Sequence, residues 1–179
     1  MPNLDTAVFG GGCFWCLEAV FQRLPSVKSV ESGYAGGRVE NPTYKQGCTG
    51  TTGHAEVVRV SFDPSQIRYR DLLEMFFSIH DPTTLNRQGN DIGTQYRSVI
   101  FYNSEEQRRE AEKAIAELTD AHEFSAPVVT TVEPAATYYA AEDYHQNYFN
   151  ENSNQPYCRF IIAPKLEKFR KAFAEKLKA

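Results

Sequence analysis

Apolar positions recur along this chain in two rhythms, one of period two and one of three to four residues. TAVF at 6–9 has the β-branched and aromatic content of a short strand, ended by the glycines at 10–12. From Cys13 the spacing of Leu17, Val20, Phe21 and Leu24, followed by Pro25, predicts a helix to about Arg23. Residues 27–33 suit a second strand, and AEVVRVSFD at 55–63 alternates as a third. YRDLLEMFFSI at 69–79 is helical in period. The later half repeats the alternation: a strand at 98–102, a helix at 105–121, a strand at 128–133, a helix at 138–149, a short strand near 159–163 and a last helix after Pro164. Ser104 and Gln107 have the spacing of a capping box, and Leu166, Phe169, Phe173 and Leu177 share one side of the final helix. Mixed elements in this order imply one α+β domain over residues 1–179, with helices packed on a sheet.

Two stretches keep neither rhythm. GYAGGRVENPTYKQGCTGTTGH at 33–54 and HDPTTLNRQGNDIGTQY at 80–96 are rich in glycine, threonine and asparagine. Irregular segments this long inside a compact domain are usually functional.

Composition narrows the field. A chain of 179 residues, 41% apolar and 23% charged, can bury about 70% of its unfolded surface. A net charge of −4 without a basic stripe argues against nucleic acid and anionic membrane as partners. No apolar run reaches the ~20 residues of a membrane span, and MPNLDTAVF lacks the order of a secretory leader, so a cytoplasmic location is expected. Four cysteines are too few for a disulfide scaffold.

The chemistry concentrates in GGGCFWC at 10–16. A cysteine opening a helix lies beside unpaired N–H groups and the positive end of the helix dipole, which favour the thiolate. The glycines before it leave room for another molecule to approach. Equally, Cys13 could be a small buried apolar residue. Phe14 suits core filling as well as a site, whereas Trp15 falls off the helical stripe and should flank the thiol as an apolar wall. Alternation puts Glu56 on the same sheet face as Val58, Val60 and Phe62, where loss of water would keep its carboxyl protonated, as a general acid must be. The plainer alternative is that Glu56 opens the strand and reaches solvent. Cys13 and Cys16 form a lone C-x-x-C, open to a redox role or half a zinc site. Zinc needs two more ligands, and Cys48, Cys158, His54, His80, His122 and His145 lack paired spacing. GCTGTTGH lacks the Gly-Lys-Ser/Thr ending of a phosphate loop.

GCFW at 12–15, NPTY at 41–44, TGHAEVV at 52–58 and NDIGTQYRS at 90–98 together resemble the methionine sulfoxide reductase A family, which reduces the S epimer of methionine sulfoxide. The likeness implies a two-layer α/β sandwich with a ferredoxin-like core, over whose sheet the two irregular stretches converge. It implies Cys13 as the nucleophile, Glu56 as the proton donor, and Phe14 and Trp15 as the cradle of the substrate methyl group. Tyr44 and Tyr96 would bind the sulfoxide oxygen, and Asp91 would help order the site. Cys158 would resolve the sulfenic acid, with Cys16 as the alternative and Cys48 or an external thiol behind it. Thioredoxin would restore the dithiol, without a cofactor or metal. Two rivals stay open: a general disulfide oxidoreductase built on Cys13 and Cys16, and a module that docks peptides in an aromatic groove.

Overall fold

The computed structural model describes residues 4–12, 14–24, 27–37, 53–88, 91–121, 126–135, 138–141, 146, 164 and 167, with the side chain of Asp91 excepted. Its strands are β1 (Asp5–Gly10), β2 (Val27–Ala35), β3 (Ala55–Phe62), β4 (Arg87–Gln88), β5 (Asp91–Ile92), β6 (Val99–Tyr102), β7 (Thr131–Pro134) and β8 (Tyr138–Ala140). Its helices are α1 (Phe14–Phe21), α2 (Tyr69–Ile79) and α3 (Glu105–Asp120), and a 3-10 turn spans Thr94–Tyr96. Six strands form one sheet in the order β7-β6-β1-β3-β2-β8, antiparallel throughout except where β6 and β7 run parallel. The fold is thus α+β, a mixed sheet with helices against it.

Period two decides which side chains meet the helices. Ala7 and Phe9 of β1, Val58, Val60 and Phe62 of β3, and Ile100 of β6 join the main core with α1 and α2. The opposite face carries a smaller cluster of Ala35, Ala55, Val57, Val99 and Phe101. Helix α1 is buried along almost its whole length, from Phe14 to Phe21 with Trp15 partly exposed, so it lies inside the domain rather than on it. Helix α2 is amphipathic, burying Leu72, Leu73, Met75 and Phe76. Rings of Phe9 and Phe76 stack 4.9 Å apart and tie α2 to the central strand.

Helix α3 lies outermost. Ser104 caps it by accepting the Gln107 N–H at 3.2 Å, but the Gln107 side chain does not close the box onto Ser104. It turns inward, accepting from the Asn103 N–H at 3.0 Å and donating to the Thr6 carbonyl at 2.8 Å, and so clamps α3 to β1.

The helix expected over 138–149 is not what its first residues form. Tyr138–Ala140 is a strand, antiparallel to β2. The Tyr138 ring lies over Gly33, and its hydroxyl donates to Glu31 Oε1 at 2.9 Å. An open sheet edge decided the matter over local helical spacing. The strand expected at 128–133 occupies Thr131–Pro134. The strand near 159–163 and most of the last helix lie outside the described residues; Pro164 and Glu167 have helical backbone.

Candidate active site

The glycine turn joining β1 to α1 is held from every side. A methyl group on Gly10 would fall 2.9 Å from Val99 Cγ1 and 3.0 Å from the Glu56 carbonyl oxygen. On Gly11 it would meet His80 Cδ2 at 2.8 Å, and on Gly12, whose φ is +91°, Gln88 Cγ at 2.8 Å. No Cβ fits at any of the three without displacing a neighbour, and at Gly12 the left-handed backbone adds its own restriction. The space that a side chain would need at these positions is therefore taken by the protein's own atoms. The Gly12 N–H donates to the Tyr96 carbonyl at 3.2 Å, which fastens the turn to the second irregular stretch.

Beyond the turn, the Phe14 N–H donates to Glu56 Oε1 at 3.1 Å, and both groups are buried. Phe14 opens α1, so its N–H is one of the initial donors for which the helix has no internal acceptor. Glu56 satisfies it from the middle of the sheet. Only 1% of Glu56 is exposed, so the alternative of a solvent-reaching strand opener does not hold. Cys13 lies outside the described residues, but the amide that Glu56 binds is the one joining Cys13 to Phe14.

The aromatic wall divides unevenly. Phe14 is fully buried, its ring 5.6 Å from that of Tyr34 and 6.3 Å from that of Trp15. Trp15 keeps part of its surface exposed while packing against the core. Tyr34 sits directly opposite Glu56 in the β2–β3 register, which places the two side chains on one face. Cys16 is buried among the same core residues.

The second irregular stretch is more regular than its composition indicates. Strands β4 and β5 pair Arg87 with Ile92 and Gln88 with Asp91, and Tyr96 follows in the 3-10 turn, half-buried and beside β3. Gln88 fixes this stretch internally: its Oε1 accepts the Asp81 N–H at 2.9 Å, and its Nε2 donates to the Asp81 carbonyl. The first stretch is largely outside the described residues, Tyr44 and Cys48 included, as is Cys158. At its near edge, His54 Nδ1 accepts the Gly37 N–H at 2.9 Å, and the His54 ring meets Tyr139 edge-on. Sequence reasoning missed Tyr34, His80 and Gln88. Only register and tertiary packing bring them to the turn, and no local spacing marks them.

The model of the family described as peptide methionine sulfoxide reductase matches residues 5–177. The chain belongs to that family. A peptide methionine sulfoxide reductase MsrA from Polynucleobacter asymbioticus is 58% identical over 97% of this chain and 91% of that protein. One from Saccharolobus solfataricus is 55% identical over 98% of both. Among solved structures, reduced Mxr1 from Saccharomyces cerevisiae superposes with a TM-score of 0.82 at 35% identity, covering 87% of this chain and 90% of that one. Methionine sulfoxide reductase A of Corynebacterium diphtheriae gives 0.74 at 38% identity, covering 85% and 76%. In this member of the family a buried carboxyl, Glu56, is bound to the first amide of the helix that follows the cysteine of GCFW.

Proposed function

We propose that this reductase converts methionine S-sulfoxide, free or in proteins, to methionine, and so repairs oxidative damage with thiols as the source of electrons. The hydrogen bond from the Phe14 N–H to Glu56 Oε1 carries the reading. It ties a buried carboxyl to the peptide unit that bears the cysteine of GCFW.

The Cys13 thiolate attacks the sulfoxide sulfur while Glu56 protonates the oxygen. The attack forms an S–S bond; the protonated oxygen then passes as hydroxyl to the Cys13 sulfur while its bond to the methionine sulfur and the new S–S bond both break, so that methionine leaves and Cys13 carries a sulfenic acid. A sulfoxide oxygen leaves poorly until it is protonated, so the step needs an un-ionised acid. Trp15, partly exposed, is the wall for the substrate methyl group, and fully buried Phe14 backs it. Tyr44 and Tyr96 bind the oxygen, and Asp91 helps to order the site.

A second thiol then condenses with the sulfenic acid, giving a disulfide and water. Cys158 is the resolving residue; the burial of Cys16 in the core supports this choice over Cys16. Thioredoxin restores the dithiol, a role supported by the crystal structure of Mxr1 in complex with Trx2, which superposes at 26% identity with a TM-score of 0.58. The strand run β6-β1-β3-β2, with α1 and α2 as crossovers, supports a ferredoxin-like two-layer core within one catalytic domain over 1–179. Among the described residues no helix is long and apolar enough to cross a membrane. We place the enzyme in the cytoplasm, with neither nucleic acid nor membrane as partner.

The test is a stereospecific assay. With thioredoxin as reductant, the S epimer is consumed and the R epimer is not, and Cys13→Ser abolishes turnover. Reduction of insulin disulfides with no action on either sulfoxide would instead favour a general disulfide oxidoreductase.

A further inference from the structure

Among the buried titratable side chains of the described residues that the mechanism above leaves unused, His80 lies against the glycine turn. His80 follows the last residue of α2 and is 7% exposed. Its Nδ1 is 2.5 Å from the Phe76 carbonyl oxygen, an acceptor only, so Nδ1 carries a proton. Its Nε2 is 2.8 Å from Ser98 Oγ, which in turn lies 2.6 Å from Thr130 Oγ1. The Phe76 and His80 rings stand 4.1 Å apart. The imidazole is therefore fixed at both nitrogens and along one face, and its Cδ2 edge is the surface on which Gly11 rests.

Gly11 lies in the segment from Gly10 to Phe14, which carries Cys13 in its sequence. At one end, a methyl group on Gly10 would press on the Glu56 carbonyl; the other end is bonded to the Glu56 carboxyl through the Phe14 N–H. Both ends are thus referenced to Glu56, while between them Gly11 is referenced to His80 and Gly12 to Gln88 and Tyr96. We propose that His80 is a positioning residue for sulfoxide reduction: the floor formed by its ring under Gly11 sets the approach of Cys13 to Glu56. This rests on the functional reading above. A reaction that needs a nucleophile and an acid in register loses about 100-fold for a displacement of about 1 Å, so loss of the floor should appear in the chemical step.

The experiment is a single-turnover measurement with enzyme in excess over methionine S-sulfoxide, on the full chain. For His80→Ala the maximal rate is expected to fall roughly 10- to 100-fold, with little change in the enzyme concentration giving half that rate. Gly11→Ala alone should also slow the step, since its methyl would press on His80. In the double variant the vacated space accepts the methyl, and Phe76, no longer held against the imidazole, can yield. The double variant should therefore be no slower than His80→Ala, whereas independent effects would multiply. If His80→Ala does not fold, Ser98→Ala decides: it releases Nε2 and should lower the maximal rate about 3-fold or more. Folded variants with wild-type single-turnover rates, or multiplicative losses in the double variant, would overturn the assignment. Wild-type protein that fails to reduce the sulfoxide at all would sink the functional reading instead, so the two failures are distinct.

Discussion

Replacing Glu56 by glutamine separates the carboxyl's chemical role from its structural one. The side chain is 1% exposed and accepts the Phe14 N–H through Oε1 at 3.1 Å. Glutamine keeps the volume and presents a carbonyl oxygen to that N–H, so the start of α1 keeps this acceptor. The added NH2 must find partners in a buried place, and the stability loss is therefore expected at about 1–2 kcal/mol. The variant cannot donate a labile acid proton to a leaving oxygen. General acid catalysis is generally worth 10²–10⁴-fold, or about 3–5 kcal/mol of barrier, and that is the expected loss in the first half-reaction. Alanine would remove the acceptor and leave a void, costing about 2–4 kcal/mol of stability and confounding the reading. Rapid-quench single turnover on methionine S-sulfoxide measures the rate, and urea unfolding measures the stability. A Glu56→Gln enzyme within about 3-fold of the wild-type rate would show that the proton comes from elsewhere.

The remaining predictions concern recycling and pH. Peptide mapping of the oxidised protein should find a Cys13–Cys158 bridge, and Cys16→Ala should retain steady-state turnover within about 3-fold while costing about 1 kcal/mol for a small core deletion. A Cys13–Cys16 bridge would reverse the assignment. Burial and the neighbouring Glu31 hold the Tyr138 phenol well above its ordinary range. A folded-state pKa above the unfolded value near 10 means that the stability it contributes is complete below about pH 10 and is lost as pH rises beyond it. Tyr138→Phe should therefore shrink the fall in unfolding free energy between about pH 9 and pH 11 by up to about 1 kcal/mol, read by urea unfolding at each pH. An unchanged fall would show that this phenol ionises as readily in the folded protein as in the unfolded chain.

Much of the molecule is written in local periodicity. Helix α2 lies at the bounds that spacing assigns it, and β1, β3 and α3 lie within a residue or two, because each shows one face to the core and that face has a fixed repeat. Glu56 is the clearest case at the site: period two alone put it on the apolar face with Val58, Val60 and Phe62, and it is buried there. Gln107 is a partial case, since the N-cap signal was legible while the reach of its side chain to Thr6 was not.

What the chain encodes by itself is thus which side of each segment leaves water, since burial of a repeating stripe is a local property of the sequence. Which group then fills each place is another matter. Tyr138–Ala140 became a strand because β2 had an edge to offer, and Tyr34 became Glu56's neighbour because of register. Gly11 and Gly12 had to be glycine because His80 and Gln88, far along the chain, press against them. Those outcomes depend on close packing between segments distant in sequence, where a single methyl decides fit, and only the assembled tertiary structure sets such distances.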